Sequence, residues 1–183
     1  MNLRLFPCRL AFLLILFAWS NVAFCGEIDD AARTGDLARV RALLKSNPAL
    51  VSSTFFDGWT PLCEAADNDY YNIAKVLVAN HADVNVKAKG GRSPLYLATM
   101  YGYNNIAQLL LANGADANVT DDNGVTPLHL AAWDGYKKAA RMLVAAGADV
   151  NARNKQGETP LDWARKRGNQ GMIKWLLANG AKP

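Results

Sequence analysis

Beyond residue 25, three Cys and His side chains could support thiol or metal chemistry: Cys63, His81 and His129. A nucleophilic thiol needs a base, and the base is most often a histidine. His81 follows Cys63 by eighteen residues and His129 lies farther on, so neither is placed beside the thiol by spacing. Zinc takes clustered Cys and His ligands, and these three do not cluster. Asp121-Asp122-Asn123 is a short acidic run of the kind calcium sites contain, but solvated turn residues account for it as well. Arg165-Lys166-Arg167 could meet a phosphate, yet Glu158 and Asp162 lie close in sequence and mark a mixed, solvated surface. The phosphate-cradling G-x-x-x-x-G-K-[ST], the dinucleotide G-x-G-x-x-G and the nucleophile elbow G-x-S-x-G are all missing from the sequence. The expectation is a protein with no catalytic residue, no metal and no cofactor. A thiol enzyme at Cys63, with a depressed thiol pKa, is the alternative from another class.

The elements that would position such residues are bounded by composition. The chain has 183 residues, 51% hydrophobic and 20% charged, with a net charge of +4. These values fit one globular domain of ordinary size and exclude disordered and collagen-like chains. Without residues 1–25 there remain 18 basic and 16 acidic side chains. The basic balance is therefore too slight to argue for nucleic acid. Three cysteines are too few for a disulfide framework.

The first 25 residues read as an address. Arg4 and Arg9 precede the continuous apolar run LAFLLILFAW at 10–19, and Ser20-Asn21 and Val22-Ala23-Phe24-Cys25 follow. That order of charge, apolar run and small residues is the pattern of a secretory signal peptide. Ten apolar residues are half of what a spanning helix needs. Cleavage after Cys25 or after Ser20 fits the pattern. Cys25 is also a candidate lipidation site, because Val22-Ala23-Phe24-Cys25 resembles a bacterial lipobox, with Phe24 bulky where such boxes carry a small residue. The expected location is periplasmic or secreted. Membrane attachment is expected only if Cys25 carries a lipid or the leader is retained.

The remainder repeats. Pro61-Leu62, Pro94-Leu95, Pro127-Leu128 and Pro160-Leu161 recur every 33 residues. Gly58, Gly91, Gly124 and Gly157 keep the same step, as do Ala65, Ala98, Ala131 and Ala164, and Leu77, Leu110, Leu143 and Leu176. The blocks Gly58-Trp59-Thr60-Pro61-Leu62, Gly91-Arg92-Ser93-Pro94-Leu95, Gly124-Val125-Thr126-Pro127-Leu128-His129-Leu130-Ala131-Ala132 and Gly157-Glu158-Thr159-Pro160-Leu161 resemble the ankyrin repeat, with its 33-residue period and T-P-L-H-x-A pattern. Ala31-Ala32-Arg33-Thr34-Gly35 aligns one unit earlier at an offset of 34, near an extra residue at Asn47-Pro48.

The resemblance implies an all-α solenoid of helix-turn-helix units with projecting β-turns. The expected division is a signal peptide at 1–25 and a repeat domain at 26–183. Its five units are a cap at 27–56, then 57–89, 90–122, 123–155, and a cap at 156–183. Thr or Ser before Pro should start each first helix, and Gly102, Gly135 and Gly168 should end it in the left-handed conformation. Asp69 and His81 stand where the other units have glycine, so both are expected at positive φ.

The resemblance also implies a function: binding of another protein on a concave surface made by turn tips and first helices. His129 is expected to brace the turns with hydrogen bonds. The positions that vary between units on the binding surface are Phe56, Trp59, Asp67, Lys89, Arg92, Met100, Tyr101, Tyr103, Asp122, Trp133, Asp134 and Tyr136. Trp, Tyr, Met and Arg are the types enriched at interface centres. Tyr70, Tyr103 and Tyr136 share one repeat position, where bracing between units is an equal reading. No nucleic acid or small-molecule substrate is expected, and a capped array of this kind reads as a monomer. An inhibitor or immunity protein for one toxin or enzyme is the alternative within binding. The short exported architecture points to a bacterial source.

Overall fold

The computed structural model describes residues 26–183; the leader reading and Cys25 lie outside the described residues. Ten α-helices and no strands occur among the described residues. They form five successive pairs. Helix α1 covers 26–34 and α2 is Leu37–Ser46. Then come α3 (Pro61–Asp67) with α4 (Tyr71–Ala79), α5 (Pro94–Met100) with α6 (Asn104–Ala112), α7 (Pro127–Asp134) with α8 (Lys137–Ala145), and α9 (Pro160–Lys166) with α10 (Gln170–Ala178). First helices stack on first helices and second helices on second helices, so α3, α5, α7 and α9 form one layer and α2, α4, α6 and α8 another.

Sequence chemistry sets both ends of the first helices α3, α5, α7 and α9. Thr60, Ser93, Thr126 and Thr159 accept the N–H of the residue three along, at 3.1–3.4 Å, and proline occupies the first turn of each. At the other end a left-handed residue turns the chain. It is Gly102 (φ 72°), Gly135 (φ 75°) and Gly168 (φ 71°) in the last three pairs. The next amide then reaches back to the conserved-period alanine: Tyr103 to Ala98 (2.8 Å), Tyr136 to Ala131 and Asn169 to Ala164 (both 2.9 Å). Asp69 (φ 57°) and His81 (φ 65°) take the same conformation where glycine stands elsewhere, as the alignment leads one to expect. Asp57 (φ 62°) does so too, at a turn tip that the sequence pattern did not mark.

This gives a direct check. Left-handed backbone costs a non-glycine residue about 1–2 kcal/mol, while glycine loosens the unfolded chain by about 0.4–1 kcal/mol. Asp69→Gly is expected to stabilise the protein by about 0.5 kcal/mol in urea melts. A lower midpoint would mean that the Asp69 side chain contributes more than its strain costs.

The core runs through the stack. Leu62, Leu95, Leu128 and Leu161 on the first helices and Leu77, Leu110, Leu143 and Leu176 on the second are all buried. A ladder of asparagines ties successive units on the far side. Asn85 donates to the Gly114 carbonyl (3.1 Å) and accepts from the Asp116 N–H (2.8 Å). Asn118 does the same to Gly147 and Asp149, and Asn151 to Gly180 and Lys182. The period shows these asparagines in the sequence; the bonds explain them.

Candidate functional site

The varying positions lie on the first helices and on the turns before them. Each turn closes the same way: Phe55 N–H to the Trp59 carbonyl (2.8 Å), Ala88 to Arg92 (3.0 Å), Asp121 to Val125 (3.1 Å) and Asn154 to Glu158 (3.0 Å). Neighbouring turns are joined where the Asp122 N–H meets the Gly90 carbonyl at 2.8 Å and the Lys155 N–H meets Asn123 at 2.9 Å. The turns and the helix ends behind them therefore form one continuous face.

The middle and C-terminal part of that face is aromatic. Tyr101 is 45% exposed and stacks on Tyr103, with ring centroids 5.6 Å apart. Trp133 is half-buried, edge-on to Trp163 at 5.8 Å, and the Arg167 guanidinium lies 5.3 Å over its ring. Tyr96, Val125 and Leu130 form a small buried cluster, against which Met100 and Trp163 pack. The Tyr96 hydroxyl donates to Asp121 at 3.3 Å, and burial beside that carboxylate pushes the phenol up to about 12.

The remaining varying residues are placed as follows. Trp59 is half-buried against the main core, and Asp67 is half-buried at the end of α3. Lys89 is exposed and pairs with Asp57 at 3.0 Å. Arg92, Asp122 and Asp134 are exposed. The Tyr136 ring lies against Gly102, where a Cβ would come within 3.0 Å of it, so this tyrosine contacts the preceding unit. Tyr70 sits on Gly35 in the same way. The Phe56 side chain lies outside the described residues.

Trp163 escapes a reading of the turn tips and helix ends alone. Carrying the period one position further along the first helix, through Glu64, Leu97, Leu130 and Trp163, would have found it. Its indole N–H donates to Glu158 at 2.7 Å. Glu158 also receives Lys166 and Asn154, and these three donors, Lys166 foremost, hold its carboxyl down at about 2.

Two of the three chemistry-bearing residues, His129 and Cys63, are structurally committed. His129 accepts the Thr126 N–H at Nδ1 (3.2 Å) in a capping box, which leaves Nε2–H to donate to the Glu158 carbonyl at 3.0 Å. Burial lowers its pKa. Cys63 occupies the equivalent place in α3, fully buried, with its Sγ accepting from the Thr60 hydroxyl at 3.5 Å. Burial pushes this thiol up, opposite to what a nucleophile requires. His81 is exposed on the turn after α4. No group of three or more His, Cys, Asp or Glu side chains among the described residues is placed to hold a metal ion. None of the described helices is long and apolar enough to cross a membrane.

Charge is divided along the stack. Residues 27–122 carry twelve acidic and eight basic side chains, whereas 123–183 carry four acidic and ten basic.

A family model of ankyrin repeats in three copies matches residues 30–88, 75–154 and 95–183. Among curated proteins, none matches the chain. Matches that together span nearly all the described residues, over helix pairs stacked at one 33-residue period, establish that the chain belongs to the ankyrin-repeat family, whose repeats are in general protein–protein interaction modules.

Proposed function

We propose that this chain is a non-catalytic binding module that holds a partner protein against the concave groove of its first helices and turn tips, outside the cytoplasm. The observation that carries the reading is the aromatic run Tyr101, Tyr103, Trp133 and Trp163 with Arg167. Large, half-exposed rings already held in place lose little side-chain freedom on binding, and Trp, Tyr and Arg dominate interface energetics. The small net charge favours a protein over nucleic acid as the partner. Export to the periplasm or medium rests on the order of residues within 1–25, and a lipid on Cys25 would tether the module to a membrane face. We take the acting form to be a monomer, since the first and last units read in sequence as caps of the stack.

The test is affinity capture with immobilised full chain from an envelope extract of the source cells. Beside it run Tyr101→Ala/Trp133→Ala and, as control, Lys174→Ala on α10. A protein retained by wild type and control but reduced more than tenfold on the double variant, with its far-UV spectrum intact, supports the reading. Equal retention by all three overturns it.

A further inference from the structure

The second helix pair departs from the others on the binding face. Between its turn and α3 lies an open depression of ≈ 310 Å³ lined by Phe55, Asp57, Trp59, Glu64 and Asp67. In the next two pairs the positions of Glu64 and Asp67 hold Leu97 with Met100, and Leu130 with Trp133. Carboxylates are thus not something the repeat needs there.

The fifth pair shows what these positions can assemble. The equivalents of Trp59, Glu64 and Asp67 are Glu158, Trp163 and Lys166. There a carboxylate accepts from an indole N–H at 2.7 Å and pairs with a lysine, so one acid, one indole and one cation meet. The second pair supplies the indole and two acids. Among the described residues, neither Glu64 nor Asp67 has an ion-pair partner.

The neighbouring cations do not fill the gap. Arg33 is held by Asp30 at 2.7 Å and Lys89 by Asp57 at 3.0 Å. Arg92, exposed, eases the charge on Asp67 only at a distance. Burial pushes the Glu64 carboxyl up and Asp67 adds to the shift, while Arg33, which forms no ion pair with it, opposes it at a distance. Burial raises Asp67 as well. On α1, Asp29 is only 4% exposed, and neither of its oxygens has a hydrogen-bond partner among the described residues. The depression therefore presents two carboxylates with no ion-pair partner among the described residues, at the acidic end of the stack.

We propose that this depression receives an arginine side chain of the partner protein, its guanidinium lying on the Trp59 indole and donating to Glu64 and Asp67. The proposal rests on the protein-binding reading above. A guanidinium is flat, stacks on aromatic faces and forks onto carboxylates, which a compact ammonium cannot do in one pose. The depression is open and large enough to admit such a head with its stem.

The test titrates full-length protein with acetyl-arginine-amide at low salt and follows the Trp59 indole N–H by NMR, assigned with Trp59→Phe. Acetyl-citrulline-amide supplies the same shape without charge, and acetyl-lysine-amide the charge without the fork. The expected result is a saturable Trp59 shift with a Kd on the order of 1–10 mM for the arginine probe. It should be at least tenfold weaker for the other two and lost in Glu64→Gln/Asp67→Asn. These substitutions remove unpaired charge, so the fold is expected to survive them, and an intact far-UV spectrum confirms it. Equal shifts with citrulline would overturn charge recognition, and equal shifts with lysine would overturn the guanidinium assignment. No shift, or a shift that survives in the double variant, overturns the site. If envelope capture succeeds while the arginine probe is inert, this proposal fails and the binding reading stands. If the probe binds but no protein is captured, the pocket stands and the protein-partner reading fails.

Discussion

Leu110→Ala is expected to cost about 2–5 kcal/mol, the range for emptying a fully buried leucine site. Leu110 lies on α6 with no exposure, in the layer where α6 packs between α4 and α8. Its carbonyl also accepts the amides of Asn113 and Ala115 at 3.0 Å, which end the helix. The alanine keeps those bonds, so the loss belongs to packing alone. The effect has a second part that a globular domain would not show. In a stack, stability is a sum over neighbouring interfaces, and α6 belongs to the middle pair. Weakening it should uncouple the two ends, so that urea unfolding followed by far-UV circular dichroism broadens or splits into two transitions. Leu176→Ala on α10, also fully buried, should lower stability without splitting the curve, since it weakens only an end. A single sharp transition for Leu110→Ala, displaced by less than about 1 kcal/mol, would mean that the neighbouring helices close over the cavity.

Asp29→Asn is expected to act in the opposite direction. Burial, then the charges of Glu64 on α3 and Asp30 on α1, push the Asp29 carboxyl from its ordinary 3.8 up to about 7. The folded state therefore holds a proton that the unfolded chain releases near pH 4. Stability associated with this group is complete below its unfolded value, declines as pH rises toward 7, and stays low above it. The shift corresponds to at most about 4 kcal/mol, and water reaching the site reduces that. A gain of about 2 kcal/mol at about pH 8, shrinking to nothing near pH 4, is the expected difference between variant and wild type. His129 works the other way: its lowered pKa withdraws stability as pH falls below the ordinary value of 6.5. It is present in both proteins and cancels in the difference. Urea melts of both at several pH values provide the check, and a difference independent of pH would mean that Asp29 is compensated in solution.

The fold could be read from spacing because the residues that set it are few and act locally. Thr-Pro starts a helix, a left-handed residue ends it, and buried leucines sixteen residues past each proline fix the register. Asp69 and His81 could be assigned positive φ for the same reason: the backbone at those points is dictated by the repeat, whichever side chain is present. The site was less legible. The period marks which positions vary, but not which of them meet across units. Trp163 packs against Trp133 from the next helix pair, and only the angle between helices decides that contact. The Glu64–Asp67 pair looks like an ordinary solvated helix face until Phe55 and Trp59 are placed beside it by the turn. Asp29 shows the same limit, since its buried state depends on α3 and on nothing adjacent in sequence.

The asparagine ladder has a mechanical consequence. Its rungs start from Asn85, Asn118 and Asn151, and each joins one helix pair to the next. Among the described residues the first joint has no such rung; the 3-10 turn Pro48–Ser52 occupies that stretch. Tension applied along the stack is carried in series, so a joint that lacks this rung is the expected place to yield. Under load the leading pair, α1 and α2, would peel away as a fuse, while the laddered pairs bearing the aromatic face stay in register.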